Sequence, residues 1–408
     1  MTNAQLAKKK MGWETKGKRE NRPFHRRTFG AFTPNPDDLL REEGIDPGSA
    51  ANAPVLDLTR RLANFETSFL NDAASPEDCE NIHKDLTSLH ALVERGAADA
   101  QVLENARGTL IAAAKVIGKT QLLEDHFSLL KEARIIATEG STDQSPEFDP
   151  KYHSSFDSPG WGAPVARIEA GQALGYLIWN YFSDKEIVDS FVQLATDQVP
   201  AVRFQVAHFL PSLYKQGQKD LFWSTLNEML GKEKTHGVTL GLLESLGRVC
   251  GEEPDKALDA VELVLDHGLP STSRSEASRA LIEIPLVLHI VRDIERARKV
   301  LLQFESSFVR FSRELLDGVF LPSHYLVPRK EFSDSVRGRA RGFLSNLIDV
   351  TRSRISGIKQ GGSNEEGIEA LKVLDAIATR LVFAFGLEQH RPRYKVPCYR
   401  GRRITCFS

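Results

Sequence analysis

The sequence predicts an all-α protein, a right-handed α-α superhelix of stacked helical hairpins with flexible basic ends. Three observations predict it. First, one pattern comes round four times. Pro164, Arg167, Ala170, Leu174 and Leu177 are followed 36 residues on by Pro200, Arg203, Val206, Leu210 and Leu213, then by His236, Thr239, Leu242, Leu246 and Val249. A step of 35 gives Arg274, Ala277, Leu281 and Ile284. A fixed period in the thirties is the mark of a stacked repeat. Second, the apolar residues of each copy fall at i, i+4 and i+7, one stripe of a helix. Third, each copy is followed by a second amphipathic segment, near 184–196, 219–231, 254–266 and 293–304, whereas strand-like alternation is rare. A hairpin of two such helices cannot bury its own apolar face, so the units must stack.

Taken in order, the chain opens on a basic arm, 1–53. Residues 1–27 hold nine Lys or Arg, among them Lys8, Lys9, Lys10, Arg26 and Arg27, against Glu14 and Glu20, a local net charge of +7. Such a stretch buries too little apolar surface to offset its ordering entropy, and the arm 1–53 is expected to be disordered. Pro36–Glu43 has the composition for one helical turn or two. Residues 54–137 carry four helical segments, 55–70, 76–95, 99–117 and 120–137, with stripes such as Leu58, Leu62, Phe65 and Phe69, then Ile82, Leu86, Leu89 and Val93. Asp99 suits the start of the third, and Gly118 its end. The Ser-, Asp-, Pro- and Gly-rich stretch 138–163 reads as a loop or hinge, with Trp161 as an anchor for the first repeat.

The repeats occupy 164–305. Asp184, Asp220 and Asp255 stand in or just before a first turn, where a carboxylate meets free N–H groups and the positive dipole end. Pro164, Pro200 and Pro254 stand where a first-turn proline forfeits no helical hydrogen bond. The C-terminal helices, 306–388, comprise 306–319, a Pro-bounded loop 320–329, a long segment 330–359 and a last helix 365–387. The tail 389–408 carries six basic residues and no acid; it reads as disordered, or as the remnant of a longer gene.

The best-kept copy, Asp197-Gln-Val-Pro-Ala-Val-Arg-Phe-Gln-Val-Ala207, resembles the HEAT-repeat family, whose first helix opens with Asp, Pro, Val-Arg and Ala. Asp197, Pro200, Val202, Arg203 and Ala207 hold those places. The first copy departs by placing Ala166 between Val165 and Arg167, and the third has neither the Pro nor the Arg. The resemblance implies that Arg167 and Arg203 bond between units; it implies no activity. A narrower stretch, Ser158-Pro-Gly-Trp-Gly-Ala-Pro-Val-Ala-Arg-Ile-Glu-Ala170, resembles the start of helical-repeat tails on some large bacterial NTPase defence proteins.

Composition excludes several classes. With 53 basic and 55 acidic residues the net charge is −2, so no global field draws the chain to nucleic acid or membrane. No apolar run approaches the roughly 18 residues of a bilayer span, and no apolar segment follows the basic start as in a secretory signal. Cys79, Cys250, Cys398 and Cys406 are too scattered for a disulfide framework, and a cytoplasmic location is expected.

Chemical motifs are few. Ala113-Ala-Lys-Val-Ile-Gly118-Lys119-Thr120 meets the loose spacing of a phosphate loop, with Ala in place of the first Gly. The preceding residues read as helix rather than strand, so the expectation is a helix end at Gly118 and a new helix from Thr120. Eleven histidines include no His-Glu-x-x-His, and the cysteines no Cys-x-x-Cys. His83 and His90, seven apart, are an incomplete set, so no metal or cofactor is expected. Glu169 and Glu244 have no partner carboxylate fixed by spacing. Trp179, Trp223, Phe204 and Phe222 read as core.

The function that follows is that of a non-enzymatic scaffold binding a protein partner along the array. Two alternatives stay open. One is nucleic-acid binding through Lys8, Lys9, Lys10, Arg26 and Arg27 and an Arg-rich helix in which Arg337, Arg341, Arg352 and Lys359 share a broad face, although such a face is more often simply solvated. The other is a regulatory or sensor subunit of a bacterial NTPase defence system.

Overall fold

A computed structural model of the chain describes residues 36–71, 76–120, 126–148, 165–182, 184–270, 275–327, 332–358 and 364–386. Among the described residues the protein is all-α and holds no strand. No described helix is long and apolar enough to cross a membrane.

The chain enters through α1 (Pro36–Glu42), with Asp37 and Asp38 in its first turn and Leu40 buried. Residues 36–53, expected to be disordered with the rest of the arm 1–53, are therefore ordered; residues 1–35 lie outside the described residues. Its anchor is Asn52, which is buried: its Nδ2 donates to Asp99 Oδ2 (2.6 Å) and to the Asp46 carbonyl (2.9 Å), and its Oδ1 accepts from the Asp99 N–H (3.0 Å). Asp99 therefore spends its carboxylate on Asn52 rather than on capping the helix it precedes.

Next come α2 (Ala53–Asn71), α3 (Pro76–Arg95), α4 (Ala100–Lys119) and α5 (Phe127–Gly140). They are followed by α6 (Ala166–Asn180) and α7 (Lys185–Gln193), the latter running into a 3-10 turn at Leu194–Thr196. Then come α8 (Pro200–Phe209), α9 (Pro211–Lys215), α10 (Lys219–Lys232), α11 (His236–Val249), α12 (Pro254–His267), α13 (Ser275–Ile290) and α14 (Glu295–Ser306). The last described helices are α15 (Ser312–Gly318), α16 (Phe320–Leu326), α17 (Asp334–Ile358) and α18 (Asn364–Gly386).

The helices touch in two rows. In one, α2 meets α4, α4 meets α6, α6 meets α8, α8 meets α11, α11 meets α13 and α13 meets α15. In the other, α3 meets α5, α5 meets α7, α10 meets α12 and α12 meets α14. The stripes carrying the period of 36 form the inner face of the first row. Ala170, Leu174 and Leu177, Val206, Leu210 and Leu213, Leu242, Leu246 and Val249, and Ala277, Leu281 and Ile284 are all buried. Burial of the Val, Leu and Ile side chains among them is worth about 1.5–3 kcal/mol each. Asp184 caps α7 by accepting from the Ile187 N–H (3.3 Å), and Asp220 and Asp255 lie in first turns.

Three further expectations need correction. The second repeat helix is broken at Leu210, because Pro211 has no N–H to continue the ladder and its ring crowds the preceding turn. Residues 320–326, expected as loop, form α16: Pro322 lies in the first turn, where its missing N–H costs nothing. Gly118 does not end a helix. It is buried inside the last turn of α4, where a Cβ would come within 3.0 Å of Leu177 Cγ. Thr120 is extended, residues 121–125 lie outside the described residues, and the helix described after them spans Phe127–Gly140.

Candidate functional site

The site is built where α3, α4 and α5 meet. Proline and two acids (Pro76, Glu77, Asp78) start α3, and Gly96, with φ +64°, turns the chain after it. Leu86, Leu89 and Val93 bury one face of α3 and so aim His90 toward α5. On α5, Leu129, Leu130, Ala133, Ile136 and Ala137 are buried. Glu132 and Glu139, two turns apart, lie along one side of the same helix. The imidazole of His90 sits between them, with Nδ1 2.8 Å from Glu132 Oε1 and Nε2 2.7 Å from Glu139 Oε2.

A neutral imidazole has one N–H and can donate only one of these bonds; donating both requires the cation. Burial by itself would lower the His90 pKa, but its hydrogen bonds to the Glu132 and Glu139 carboxylates prevail and hold it above the ordinary histidine value. Glu94, one turn beyond His90, brings a third carboxylate. One ligand atom each of His90, Glu94 and Glu139 lie within 4.8 Å of one another. The group opens on a cleft of about 550 Å³ whose wall includes Arg107, Leu110, Thr142, Asp143 and Gln144.

The repeat arginines form a second ordered set. Arg167 Nε lies 2.6 Å from Asp197 Oδ2, and its other nitrogens donate to the carbonyls of Asp143 (2.7 Å) and Pro146 (2.9 Å). Arg203 grips Glu233 with Nε (2.8 Å) and Nη2 (2.9 Å), and Nη1 donates to the Asp197 carbonyl (2.7 Å). Each arginine therefore reaches the acid 30 residues ahead, just before the next unit begins. At the third copy Thr239 takes the arginine's place and the ladder stops. Pro200 opens α8 at its first turn; Pro164 lies outside the described residues.

The remaining candidates fall as follows. Lys8, Lys9, Lys10, Arg26, Arg27, Trp161 and Lys359 lie outside the described residues. On α17, Arg337, Arg341 and Arg352 share one arc; Arg341 and Arg352 are exposed, and Arg337 bonds to Asp334 (2.7 Å). Arg339 and Arg354 serve the fold instead, through the Ile290 carbonyl (2.9 Å) and Glu366 (2.5 Å). At the phosphate-loop spacing, α4 presents its C-terminal carbonyls: Asn180 donates to the Gly118 carbonyl (2.8 Å) and the Tyr181 hydroxyl to that of Thr120. A phosphate needs the opposite pole of a helix. Glu169 is taken by Lys115 (2.5 Å). Trp223 and Phe222 are buried, while Trp179 and Phe204 are half-buried, with the Lys215 Nζ 4.3 Å from the Trp179 ring centre.

One acid outside both sets sets a pH dependence. Glu305 on α14 is 5 % exposed, and burial pushes its pKa up to about 7 despite a hydrogen bond from Asn346 Nδ2 (2.5 Å) and the nearby Arg298. A raised folded value means that its contribution to stability is complete below the unfolded value of 4.5 and is lost as pH rises through about 7. Glu305→Gln is expected to remove that slope and to exceed the parent by about 2 kcal/mol at pH 8. Urea unfolding at pH 5 and pH 8 checks it, and equal slopes in both proteins would refute it.

His90 and its carboxylates were missed by spacing alone. Glu132 and Glu139 seven apart, and His90 and Glu94 four apart, are unremarkable on solvated helix faces. Only the packing of α3 on α5 joins them. Compared with models of protein families, with curated proteins and with solved structures, the chain matches none.

Proposed function

We propose that this chain is a HEAT-like helical-repeat interaction protein, a scaffold that binds a protein partner on its surface. The observation that carries this reading is the outer face of α18. Ala370, Val373 and Ile377 are buried against the preceding helices, which leaves Ile368, Leu371 and Val382 on the other side at 53 %, 51 % and 70 % exposure. A helix face turned to water normally carries polar side chains. Large aliphatic side chains gathered on such a face mark a surface that another molecule covers. The two rows of helices and the ladder from Arg167 and Arg203 support the HEAT-like reading of the array.

The test compares the parent with an Ile368→Asp, Leu371→Asp, Val382→Asp variant as bait in a nuclease-treated lysate of its own host. The expected result is a protein retained in stoichiometric amount by the parent and depleted about tenfold or more with the variant, whose helix content is unchanged. Equal retention by both would remove α18 from the reading. A second reading rests on the exposed Arg341 and Arg352 beside Arg337: recovery of nuclease-sensitive material only would favour it. In that case log affinity would fall with log salt, and each arginine changed to alanine would cut the slope by about one.

A further inference from the structure

We propose that His90, Glu94 and Glu139 form a binding site for a divalent cation of the zinc class, with Glu132 holding the imidazole in place. The donor set fits: one imidazole nitrogen and two carboxylates from two packed helices, with ligand atoms already within 4.8 Å of one another. Zinc bonds such atoms at about 2.0–2.2 Å, so ligands around it stand about 3.3 Å apart; rotation of Glu94 closes the wider gaps, and rotation of Glu139 opens its 2.7 Å contact with His90 Nε2 to that spacing.

Glu132, 2.8 Å from His90 Nδ1, is placed to accept from an Nδ1–H, the tautomer that binding through Nε2 requires. With the proton on Nδ1, the Nε2 lone pair points at a Glu139 oxygen 2.7 Å away, two electron-rich atoms facing each other. At 2.7 Å only a proton fits between them; a metal replaces that proton once Glu139 draws back to the wider spacing. A carboxylate behind a ligating histidine is the usual outer partner that sets ring orientation and basicity.

Place in the fold reinforces the charge. Glu139 belongs to the last turn of α5, beside the negative pole of that helix, which favours a cation. Three protein ligands leave positions free toward the cleft, where Thr142, Asp143 and Gln144 offer further oxygens. Arg107, on the same wall, is the competing positive charge. The site is independent of the outer face of α18, and its test does not depend on a partner.

The test is calorimetric titration of the full chain, free of any histidine tag, with Zn²⁺ alone. One ion per chain is expected at pH 7.5, with release of about one proton, read from two buffers of different ionisation heat, and binding weaker at pH 6. His90→Ala and Glu139→Gln are expected to weaken binding by about 100-fold or more, and Glu132→Gln by about 10–100-fold. His83→Ala, on the same helix but outside the group, should change nothing. If His90→Ala does not fold, Glu94→Gln and His90→Gln ask the same question. No uptake of zinc, or uptake that the His90, Glu94 and Glu139 variants leave unchanged, overturns the proposal.

Discussion

Arg203→Ala is expected to cost about 3–5 kcal/mol of folding stability, because it strands a carboxylate that the fold has taken out of water. The Glu233 side chain is only 4 % exposed, and Arg203 meets both of its oxygens, at 2.8 and 2.9 Å. The N–H groups of Lys234 and Thr235 also donate to Oε1, at 3.0 and 2.9 Å, so the charge stays partly bonded in the variant and the lower part of the range applies. Lysine is expected to restore little, since it cannot present two parallel N–H groups to one carboxylate.

The pH dependence separates this loss from general damage. Burial alone would raise the Glu233 pKa; the bonds from Arg203 outweigh it and bring it below the ordinary 4.5. A lowered folded value gives stability that is present above 4.5 and lost as pH falls through the folded value. Removing Arg203 leaves the burial and reverses the shift, so the gap between parent and variant should narrow on acidification. Urea unfolding from pH 4 to pH 8 measures it. A gap below about 1 kcal/mol with no pH dependence would make this an ordinary surface pair.

Gly175→Leu is the second large effect, a loss of about 3 kcal/mol or more from overpacking. Gly171 and Gly175 face α8 one turn apart, opposite Gln205 and Phe209. A Cβ on Gly175 would lie 2.5 Å from Phe209 Cβ, and one on Gly171 2.8 Å from Gln205 Cβ. Those atoms are bonded to the α8 backbone and cannot swing aside, so the helices themselves must separate. Phe209 is further fixed against Tyr176, ring centre to ring centre 4.6 Å. Gly231→Ala is the control: it is exposed, nothing lies within 4 Å of the added carbon, and the change should be neutral or stabilising by up to about 1 kcal/mol. Melting of the three proteins followed by circular dichroism decides it. A Gly175→Leu protein melting with the parent would mean that α6 and α8 are not held at this distance.

What the sequence by itself determined is the local and periodic part of the protein. Helix formation depends on neighbours three and four residues apart, so the stripes through Leu174, Leu210, Leu246 and Leu281, and the capping of α7 by Asp184, were legible at once. The acids that Arg167 and Arg203 reach were legible only as a period, since both pairs span the same 30 residues. Tertiary structure alone decided the rest. Gly118 looks like a helix terminus or part of a phosphate loop until Leu177 is seen lying against it. Nothing near Gly175 announces that Phe209 will cross it. His90 acquires chemical meaning only when α5 brings Glu132 and Glu139 to it from 42 and 49 residues away. The physical reason is the same throughout: helical periodicity says which face is buried, whereas the partner it is buried against is chosen by packing between distant segments, where a single turn of sliding, about 5.4 Å, would exchange every contact.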